Sequence, residues 1–245
     1  THLHSKYLDI LVEYGKPIFL EKPPSHSLEG IDDLSLKIKE SGIITYVGCN
    51  LRFHPSIVFL KDNLPGKKIN EIDIYSGSYL PDWRDNKDYK NIYSARKDMG
   101  GGVHLDLFHE IDYASWLFGF PSESKSYTSS KSTLNITAID YANYVWSYED
   151  FNVSIILNYY RRSPRRIIEI LFEDETWTID LIKSEIKSDL NGVIFSSDLK
   201  VLETYKLQIQ YFVNCLNANI VPMNSFEESI INLKLCLKTD YEIKE

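Results

Sequence analysis

The chain has 245 residues, of which 43% are hydrophobic and 25% charged, and its formal charge at pH 7 is −8. This composition is that of a globular protein, and the length allows one large domain or two smaller ones. The acidic balance argues against broad nucleic-acid binding, because neutralising phosphates requires a basic face.

The cysteine content and the hydropathy of the chain indicate where the protein works. Cys49, Cys215 and Cys236 are an odd number without paired short spacing, so they indicate neither a disulfide framework nor a metal site. This usage favours a reducing, cytoplasmic setting. No stretch approaches the roughly 20 consecutive apolar residues that a membrane-spanning helix needs, so we expect no membrane partner.

The first fifty residues alternate helical and strand patterns. Apolar residues recur at helical spacing over 3–14 and again from residue 27 to about 42, and short apolar runs at 17–20 and 43–47 predict two buried strands. This alternation is typical of βαβ winding around a parallel sheet. Ligands of such sheets bind beyond the carboxyl ends of the strands, where Glu21 and Lys22 lie in this chain.

Lys22 is followed by two prolines. A lysine at a strand end is often only a solvated charge, and Pro23 with Pro24 is often only a rigid turn. The position in a βα crevice favours a functional role for Lys22. Pro23 is a candidate for the cis form, which would aim the preceding side chain.

A second pattern follows a domain change placed within residues 52–65. It starts with a helix at 55–64, a strand at 69–78, and a glycine run that leads into a helix over 100–118. Turn-like stretches then separate four strands, at 142–148, 151–160, 166–172 and 176–181, which predict a mainly antiparallel sheet. Two final helices, at 201–216 and 226–241, are separated by Pro222.

The stretch GGGVHLDLFHEIDYASWLFG, residues 100–119, is the densest cluster of ionisable groups. Helical spacing places Asp106, His109, Glu110 and Tyr113 on one face. A histidine one turn from a carboxylate can keep a single tautomer and move protons near neutral pH. The alternative is equally open: Asp106 caps the helix and His109 is an ordinary histidine.

The order of three segments, HLHSKYLDILVEYGKPIFLEKP, CNLRFHP and GGGVHLDLFHEIDYASWLFG, resembles the glucose-fructose oxidoreductase / inositol dehydrogenase / MocA family of NAD(P)-dependent oxidoreductases. The resemblance covers residues 1 to about 119 with specific motifs and the rest more loosely. It implies an α/β fold, with the C-terminal remainder of a Rossmann-type parallel sheet in residues 1–55. An α+β substrate-binding domain with a large, mainly antiparallel sheet and the C-terminal helices would fill residues 56–245.

The resemblance also implies catalytic roles. Lys22 would lie between nicotinamide and substrate, His109 would accept the hydroxyl proton, and Asp106 would orient His109. A base and a nearby cation suit the oxidation of a sugar hydroxyl. Many members separate the aspartate and histidine by four positions, whereas the spacing here is three, so Asp112 is an alternative partner for His109.

Binding residues are implied in the same way. Contacts with NAD or NADP are expected from Glu21, Lys22, Pro23, Asn50 and Arg52. For Arg52, a place in a domain interface is at least equally open. The family commonly forms homo-oligomers through its large sheet, so we expect the same of this chain.

The stretch GSYLPDWRDNKDYKNIYSARKDMGGG resembles members that act on nucleotide sugars. Arg84, Arg96 and Lys97 are candidates for binding a diphosphate beside Asp106 and His109, because guanidinium groups pair with phosphate oxygens bidentately. Solvated loop charges are an equally open interpretation. A basic run, Arg161, Arg162, Arg165 and Arg166, is interpreted as a charged hairpin.

The Gly-x-Gly-x-x-Gly loop of the family's first βαβ unit has no counterpart in the sequence, since the glycines at 100–102 lack its spacing. The chain thus resembles a sugar or nucleotide-sugar dehydrogenase that lacks roughly its first third. NAD and NADP cannot be distinguished, because the selecting residue belongs to that part. A non-catalytic sugar-binding or oligomerisation subunit and a glycoside-cleaving relative are the alternatives.

Overall fold

The computed structural model describes residues 1–242, and its N-terminal part is a small parallel sheet with helices beside it. The elements are α1 (His4–Val12), β1 (Ile18–Glu21), α2 (Ile31–Ser41) and β2 (Thr45–Gly48). The two strands pair in parallel, with Ile18 opposite Thr45 and Glu21 opposite Gly48. This confirms the βα alternation, and it sets the carboxyl ends of β1 and β2 side by side.

A sheet of nine strands forms the second part, in the order β10-β9-β8-β7-β3-β6-β5-β4-β11. β3 and β6 pair in parallel, and the other neighbouring strands pair antiparallel, which confirms the mainly antiparallel prediction. The strands are β3 (Ile69–Tyr79), β4 (Glu123–Ser129), β5 (Tyr141–Ser147), β6 (Asn152–Asn158), β7 (Tyr160–Phe172), β8 (Thr176–Asp180), β9 (Glu185–Ser188), β10 (Gly192–Ser196) and β11 (Asp240–Glu242).

Five further α-helices lie within the described residues, and the large sheet buries one face in the core. Alternate strand residues such as Tyr144, Trp146 and Ile155 point inward and join Phe108 and Ile111 in one core. The outward positions between them stay partly exposed, as the two-residue period of a strand requires. The helices are α3 (Pro55–Asn63), α4 (Val103–Asp106), α5 (Phe108–Phe118), α6 (Val201–Ala218) and α7 (Phe226–Leu237).

The last predicted helix is shorter than expected. The pattern predicted a helix over 226–241, but α7 ends at Leu237 and Lys238 is extended. β11 then pairs with β4, so residues 240–242 belong to the edge of the large sheet. β4 itself was not predicted, because its inward residues include Ser124 and Ser126, which provide no hydrophobic alternation.

The basic run is part of a strand rather than a hairpin. The predicted strands at 151–160 and 166–172 are not neighbours, since β3 lies between β6 and β7. In β7, Tyr160 pairs with Tyr79 and Arg165 with Gly77, so residues 161–164 bulge out of register. A long-range pairing with β3 therefore replaces the local turn that the sequence pattern predicted.

The C-terminal helices pack on the N-terminal sheet. Phe212 of α6 stacks on Tyr46 of β2 at 5.6 Å between ring centroids and meets Phe19 of β1 at 5.8 Å. The amide of Asn224 donates to the carbonyl of Val47 at 2.7 Å. Residues beyond position 200 thus stabilise the strands that present Lys22, and a domain boundary at residue 55 stays a prediction.

Within residues 1–242, no helix combines the length and the apolar character that crossing a membrane would need.

His54 connects the N-terminal part to the large sheet through one of its two ring hydrogen bonds. Its Nδ1 accepts from the backbone N–H of Ser56 at 3.2 Å, so the proton is on Nε2, which donates to the carbonyl of Leu181 at 3.1 Å. The ring is fully buried. The neutral form is therefore the one that the fold accommodates.

Acidification from pH 7 to pH 5 is expected to destabilise the protein. Burial lowers the pKa of both His54 and His104 to about 4, below the ordinary value of 6.5. The unfolded chain therefore binds more protons in this range, and stability present above pH 6.5 is lost as the pH falls towards 4. Each histidine should account for about 2 kcal/mol between pH 7 and 5.

Urea unfolding at the two pH values measures this loss. His54→Gln should reduce it, because the amide can still donate to the carbonyl of Leu181 but does not titrate. A free energy of unfolding that is the same at both pH values would contradict the expectation.

Candidate active site

Lys22 lies at the carboxyl end of β1, where the parallel strands open towards the second part of the fold. The peptide bond between Lys22 and Pro23 is cis, as the sequence suggested. The Lys22 ammonium donates to the backbone carbonyl of Asp106 at 2.5 Å. Burial lowers the pKa of Lys22, and the nearby Asp106 carboxylate opposes that shift. The end of β1 and the glycine-rich segment that leads to Asp106 are therefore in contact, although Lys22 and Asp106 are 84 residues apart in sequence.

The glycines of residues 100–102 allow the segment that bears Asp106 to lie close to Lys22. A side chain at Gly101 would overlap the carbonyl oxygen of Tyr93, and Gly102 has φ of 141°, where other residues are strained. The segment then continues into α4 from Val103, whose N–H donates to Ile139 at 2.8 Å. These glycines place α4 in the core rather than binding a phosphate.

Two tyrosines hold the Asp106 carboxylate. The Tyr159 hydroxyl donates to Oδ2 at 2.5 Å, and the Tyr93 hydroxyl also bonds this side chain. Burial and the neighbouring carboxylate raise the pKa of Tyr93 to about 12. Neither tyrosine carried a recognisable signal in the sequence, because Tyr159 reaches the site only through the crossing from β6 to β7 and Tyr93 through a loop of short 3-10 turns.

His109 is close to these groups but is not oriented by Asp106. The helix predicted as one segment is interrupted at Leu107, whose ψ of 33° separates α4 from α5. Asp106 turns towards Tyr159, and within residues 1–242 Nδ1 of His109 has no hydrogen-bond partner. The expected Asp106–His109 contact is therefore absent from the described structure, and the single-face arrangement does not continue across Leu107.

Charge and burial keep His109 neutral. Its pKa is lowered well below 6.5, mainly by burial and further by the positive charges of Lys22 and Arg166. A neutral imidazole can accept a proton, which is the state that a general base needs.

Asp112, the alternative partner of His109, instead binds Arg52 in a buried ion pair. The Arg52 guanidinium donates to both Asp112 oxygens at 2.9 and 2.8 Å and to Glu228 at 2.7 Å. Both Arg52 and Asp112 are about 1% exposed. The structure therefore supports the domain-interface interpretation of Arg52 rather than the contact with cofactor or substrate.

Asn50 is directed away from the crevice in the same way. Its amide donates to the hydroxyl of Thr204 in α6 at 2.7 Å, and the residue is 3% exposed. Glu21 is exposed beside Lys22, and partial desolvation of its carboxylate raises its pKa. Of the residues expected to contact the cofactor, Glu21, Lys22 and Pro23 lie at the strand end, whereas the Asn50 and Arg52 side chains point into the interior.

Glu110 and Arg166 form a second buried ion pair beside His109. The guanidinium donates to the two carboxylate oxygens at 2.6 and 3.0 Å, and Glu110 is completely buried. Arg166 is on an inward position of β7, in the same two-residue register as Ile168. That register is a sequence signal that could have separated Arg166 from the rest of the basic run.

The three candidate phosphate-binding residues have different surroundings. The Arg84 guanidinium lies 5.8 Å from the centre of the Tyr93 ring, so it borders the site. Arg96 binds Asp98 at 2.5 Å on the surface, and Lys97 is exposed. Among the three, Arg84 is the one in contact with a residue of the Asp106 cluster.

The site thus combines a cation, a neutral imidazole and a tyrosine-bound carboxylate. Lys22 can stabilise negative charge that develops on an oxygen, and His109 can accept a proton. Within residues 1–242, no cluster of three or more histidine, cysteine, aspartate or glutamate side chains could hold a metal ion. This combination is suited to removing a proton from a hydroxyl group.

No family model matches the chain. In sequence, it is 24% identical over 250 residues to the scyllo-inositol 2-dehydrogenase (NAD(+)) of Bacillus subtilis, an alignment that covers 96% of this chain and 70% of the relative. The myo-inositol 2-dehydrogenase of Thermotoga maritima is 25% identical over 120 residues, which are 49% of this chain and 34% of that protein.

Solved structures share the fold. A levoglucosan dehydrogenase in complex with NADH superposes with a TM-score of 0.82 at 16% identity, covering all of this chain and 78% of the other. The WlbA dehydrogenase of Bordetella pertussis, in complex with NADH and UDP-GlcNAcA, superposes with a TM-score of 0.80 at 17% identity. The superposition covers 100% of this chain and 77% of that chain. Together with the sequence matches, they agree with the resemblance of the chain to the glucose-fructose oxidoreductase / inositol dehydrogenase / MocA family of NAD(P)-dependent oxidoreductases.

Proposed function

We propose that this chain belongs to a dehydrogenase that transfers a hydride between a nicotinamide cofactor and a hydroxyl group of a sugar or nucleotide sugar. The observation that carries the proposal is the meeting of Lys22, at the carboxyl end of a parallel strand, with the segment that bears Asp106 and His109. These residues supply a cation and a base in one crevice.

In the proposed mechanism, His109 accepts the hydroxyl proton. Nε2 is the accepting atom, because Nδ1 is buried and faces no partner in the described structure. The Lys22 ammonium stabilises the negative charge that develops on the substrate oxygen. A bound nicotinamide would accept the hydride from the substrate carbon that bears this oxygen.

Asp106 has a positioning role in this proposal. Tyr159 and Tyr93 fix its carboxylate, and its backbone carbonyl holds the Lys22 ammonium. The carboxylate has acceptor capacity beyond these bonds, with which it can bind a second substrate hydroxyl. Lys22 and the substrate are thereby aligned by one segment.

The residues present fit the nicotinamide end of the cofactor. The Glu21–Pro23 turn follows a parallel strand, the place where such sheets bind nucleotides, but the glycines of residues 100–102 pack in the core. The outer edge of β1 is unpaired in the described sheet, and α1 exposes a row of apolar side chains, Leu3, Tyr7, Ile10, Leu11 and Tyr14. We propose that further βα units cover these surfaces and bind the cofactor phosphates.

Two observations concern the identity of the cofactor and the cellular compartment of the protein. The Bacillus relative carries NAD(+) in its name and both structural relatives bind NADH, which supports NAD over NADP. The three cysteines are free thiols in the structure, which supports a cytoplasmic protein.

A homo-oligomer formed through the large sheet is also part of the proposal. The outward face of the sheet exposes apolar residues, among them Val145 at 51%. A second copy would bury such a face. Sedimentation of the protein checks this point, and a monomer at micromolar concentration would contradict it.

Arg84 supports a nucleotide sugar as substrate. Its guanidinium has no carboxylate partner within residues 1–242 and is stacked beside Tyr93, which leaves its N–H groups available to a diphosphate. Next to it, Trp83 packs edge-on against Tyr159 at 5.3 Å and forms a wall of the crevice. A diphosphate bound to Arg84 would leave the sugar near Asp106.

The experiment is an assay of NADH formation with UDP-N-acetylglucosamine, levoglucosan and scyllo-inositol, using a form of the protein that includes the complete cofactor site. We expect oxidation of the nucleotide sugar, with KM raised about tenfold or more in Arg84→Gln because a charged hydrogen bond is lost. Activity without NAD would contradict a dehydrogenase. Products of cleavage without net NADH would instead favour the glycoside-cleaving alternative.

A further inference from the structure

Three arginines in and next to the bulge of β7 have no carboxylate partner within residues 1–242. Arg52, Arg96 and Arg166 each bind a carboxylate at 2.8 Å or less. Such a partner is absent, within residues 1–242, for Arg161, Arg162 and Arg165. In a chain with 35 acidic and 27 basic residues, a cluster of unpaired arginines is a feature that needs a physical explanation.

The three guanidinium groups lie on two tyrosine rings of β3. Arg161 and Arg165 lie 5.2 and 5.5 Å from the centre of the Tyr75 ring, and Arg162 lies 3.9 Å from that of Tyr79. Contact through the flat face holds a guanidinium in place and leaves its N–H groups at the edge free. The cluster is therefore a set of preorganised donors.

The irregular pairing of β7 produces this arrangement. Because residues 161–164 bulge out of register between Tyr160 and Arg165, arginines that a regular strand would distribute over both faces are gathered at one end of the sheet. Nε of Arg161 is buried and has no hydrogen-bond partner among the described residues. The group lacks an acceptor, and an oxygen of an anion would supply one.

An open cavity of about 530 Å³ adjoins the cluster, since Tyr160, which lines it, pairs with Tyr79, the residue on whose ring Arg162 lies. Asp140, in its wall, is 1% exposed, and its Oδ2 accepts from both the N–H and the hydroxyl of Ser132. Oδ1 has no partner in the described structure. An ionised carboxylate can only accept, so the missing partner is a donor such as a hydroxyl group. The rest of the lining comes from Tyr127, Ser129, Lys131, Thr133 and Tyr141.

We propose that this end of the large sheet binds a phosphate monoester of a polyhydroxylated compound. The phosphate contacts the arginine cluster, and the hydroxylated body occupies the cavity beside Asp140 and the tyrosine rings. The site shares no residue with the crevice around Lys22, and the proposal does not depend on the function proposed above.

Calorimetric titration of the chain with glucose 1-phosphate, inorganic phosphate and glucose at fixed ionic strength tests the proposal. We expect saturable binding of glucose 1-phosphate, tighter than that of inorganic phosphate. The R161Q/R165Q variant should weaken it about tenfold or more, because charged hydrogen bonds are lost. Equal affinities for glucose 1-phosphate and inorganic phosphate would overturn the role of the cavity.

A matched control is K183Q/K187Q, which removes two charges from exposed lysines that already bind Asp180 and Glu185. The affinity of this control for glucose 1-phosphate should be unchanged. An equal loss of affinity in R161Q/R165Q and in the control would show non-specific electrostatic attraction and overturn the proposal. If R161Q/R165Q fails to fold, R161K/R165K keeps the charge but lacks the planar fork, and it should still weaken binding. Undiminished binding in a folded arginine variant, or no saturable binding at all, would also overturn it.

Discussion

Replacing Asp112 by alanine is expected to lower the free energy of unfolding by about 3–5 kcal/mol, because it leaves the Arg52 charge buried without its bidentate partner. Both residues lie at the junction between the N-terminal sheet and the helices that cover it. Glu228 remains as the carboxylate partner and the Asn224 amide oxygen as a neutral one at 3.3 Å, but the Glu228 side chain is 32% exposed and binds one nitrogen. Nη1 of Arg52 already lacks a partner among the described residues.

Urea unfolding monitored by circular dichroism measures the change. Asp112→Asn keeps the shape and hydrogen-bonding capacity but removes the charge, so it should be destabilising to a smaller extent than alanine. Asp98→Ala is the matched control, because it breaks an ion pair with Arg96 that is on the surface, and we expect no measurable effect. Equal stability of Asp112→Ala and Asp98→Ala would show that the buried pair does not hold the junction.

Replacing His109 by asparagine is expected to reduce kcat about a hundredfold or more in a form of the protein that oxidises its substrate, if His109 is the general base. The imidazole is neutral because burial, Lys22 and Arg166 lower its pKa. Activity of the unmodified protein should therefore be retained at pH 6.5 and fall only well below it, where the base becomes protonated. The asparagine variant should lack that acid limb.

Initial rates of NADH formation between pH 5 and 8 give both readouts. His2→Asn serves as control, since His2 is an exposed histidine whose ring contacts the carbonyl of Met99. The melting temperature of each variant establishes that it folds. An unchanged kcat in a folded His109→Asn would assign His109 to the ordinary core histidines.

Much of the fold could be predicted from local pattern. Apolar spacing of 3.6 residues marked α1 and α6, and short apolar runs marked β1 and β2, since burial of one face imposes these periods on the sequence. Lys22 followed from the same reasoning, because the end of a parallel strand faces the crevice. The glycine run and the helix after it located Asp106 and His109.

The partners of the polar side chains were decided by tertiary structure. Arg52 is 60 residues from Asp112 and 176 from Glu228, and Asp106 is 53 from Tyr159. No local period records such distances, so the Asp106–His109 pairing that the resemblance implied is replaced in the structure by a hydrogen bond between Tyr159 and Asp106. A single residue, Leu107, was enough to change the direction of the helix between them.

The sequence by itself determined the buried faces of most helices and of the strands with regular apolar patterns, and where the chain presents ionisable groups, because hydrophobic periodicity is a local property of the chain. Only the tertiary structure decided that Arg166 joins Glu110 while Arg161 and Arg165 remain on the surface. The pairing register of β7 against β3 determines which arginines face the core, because a shift of one residue exchanges the two faces of a strand.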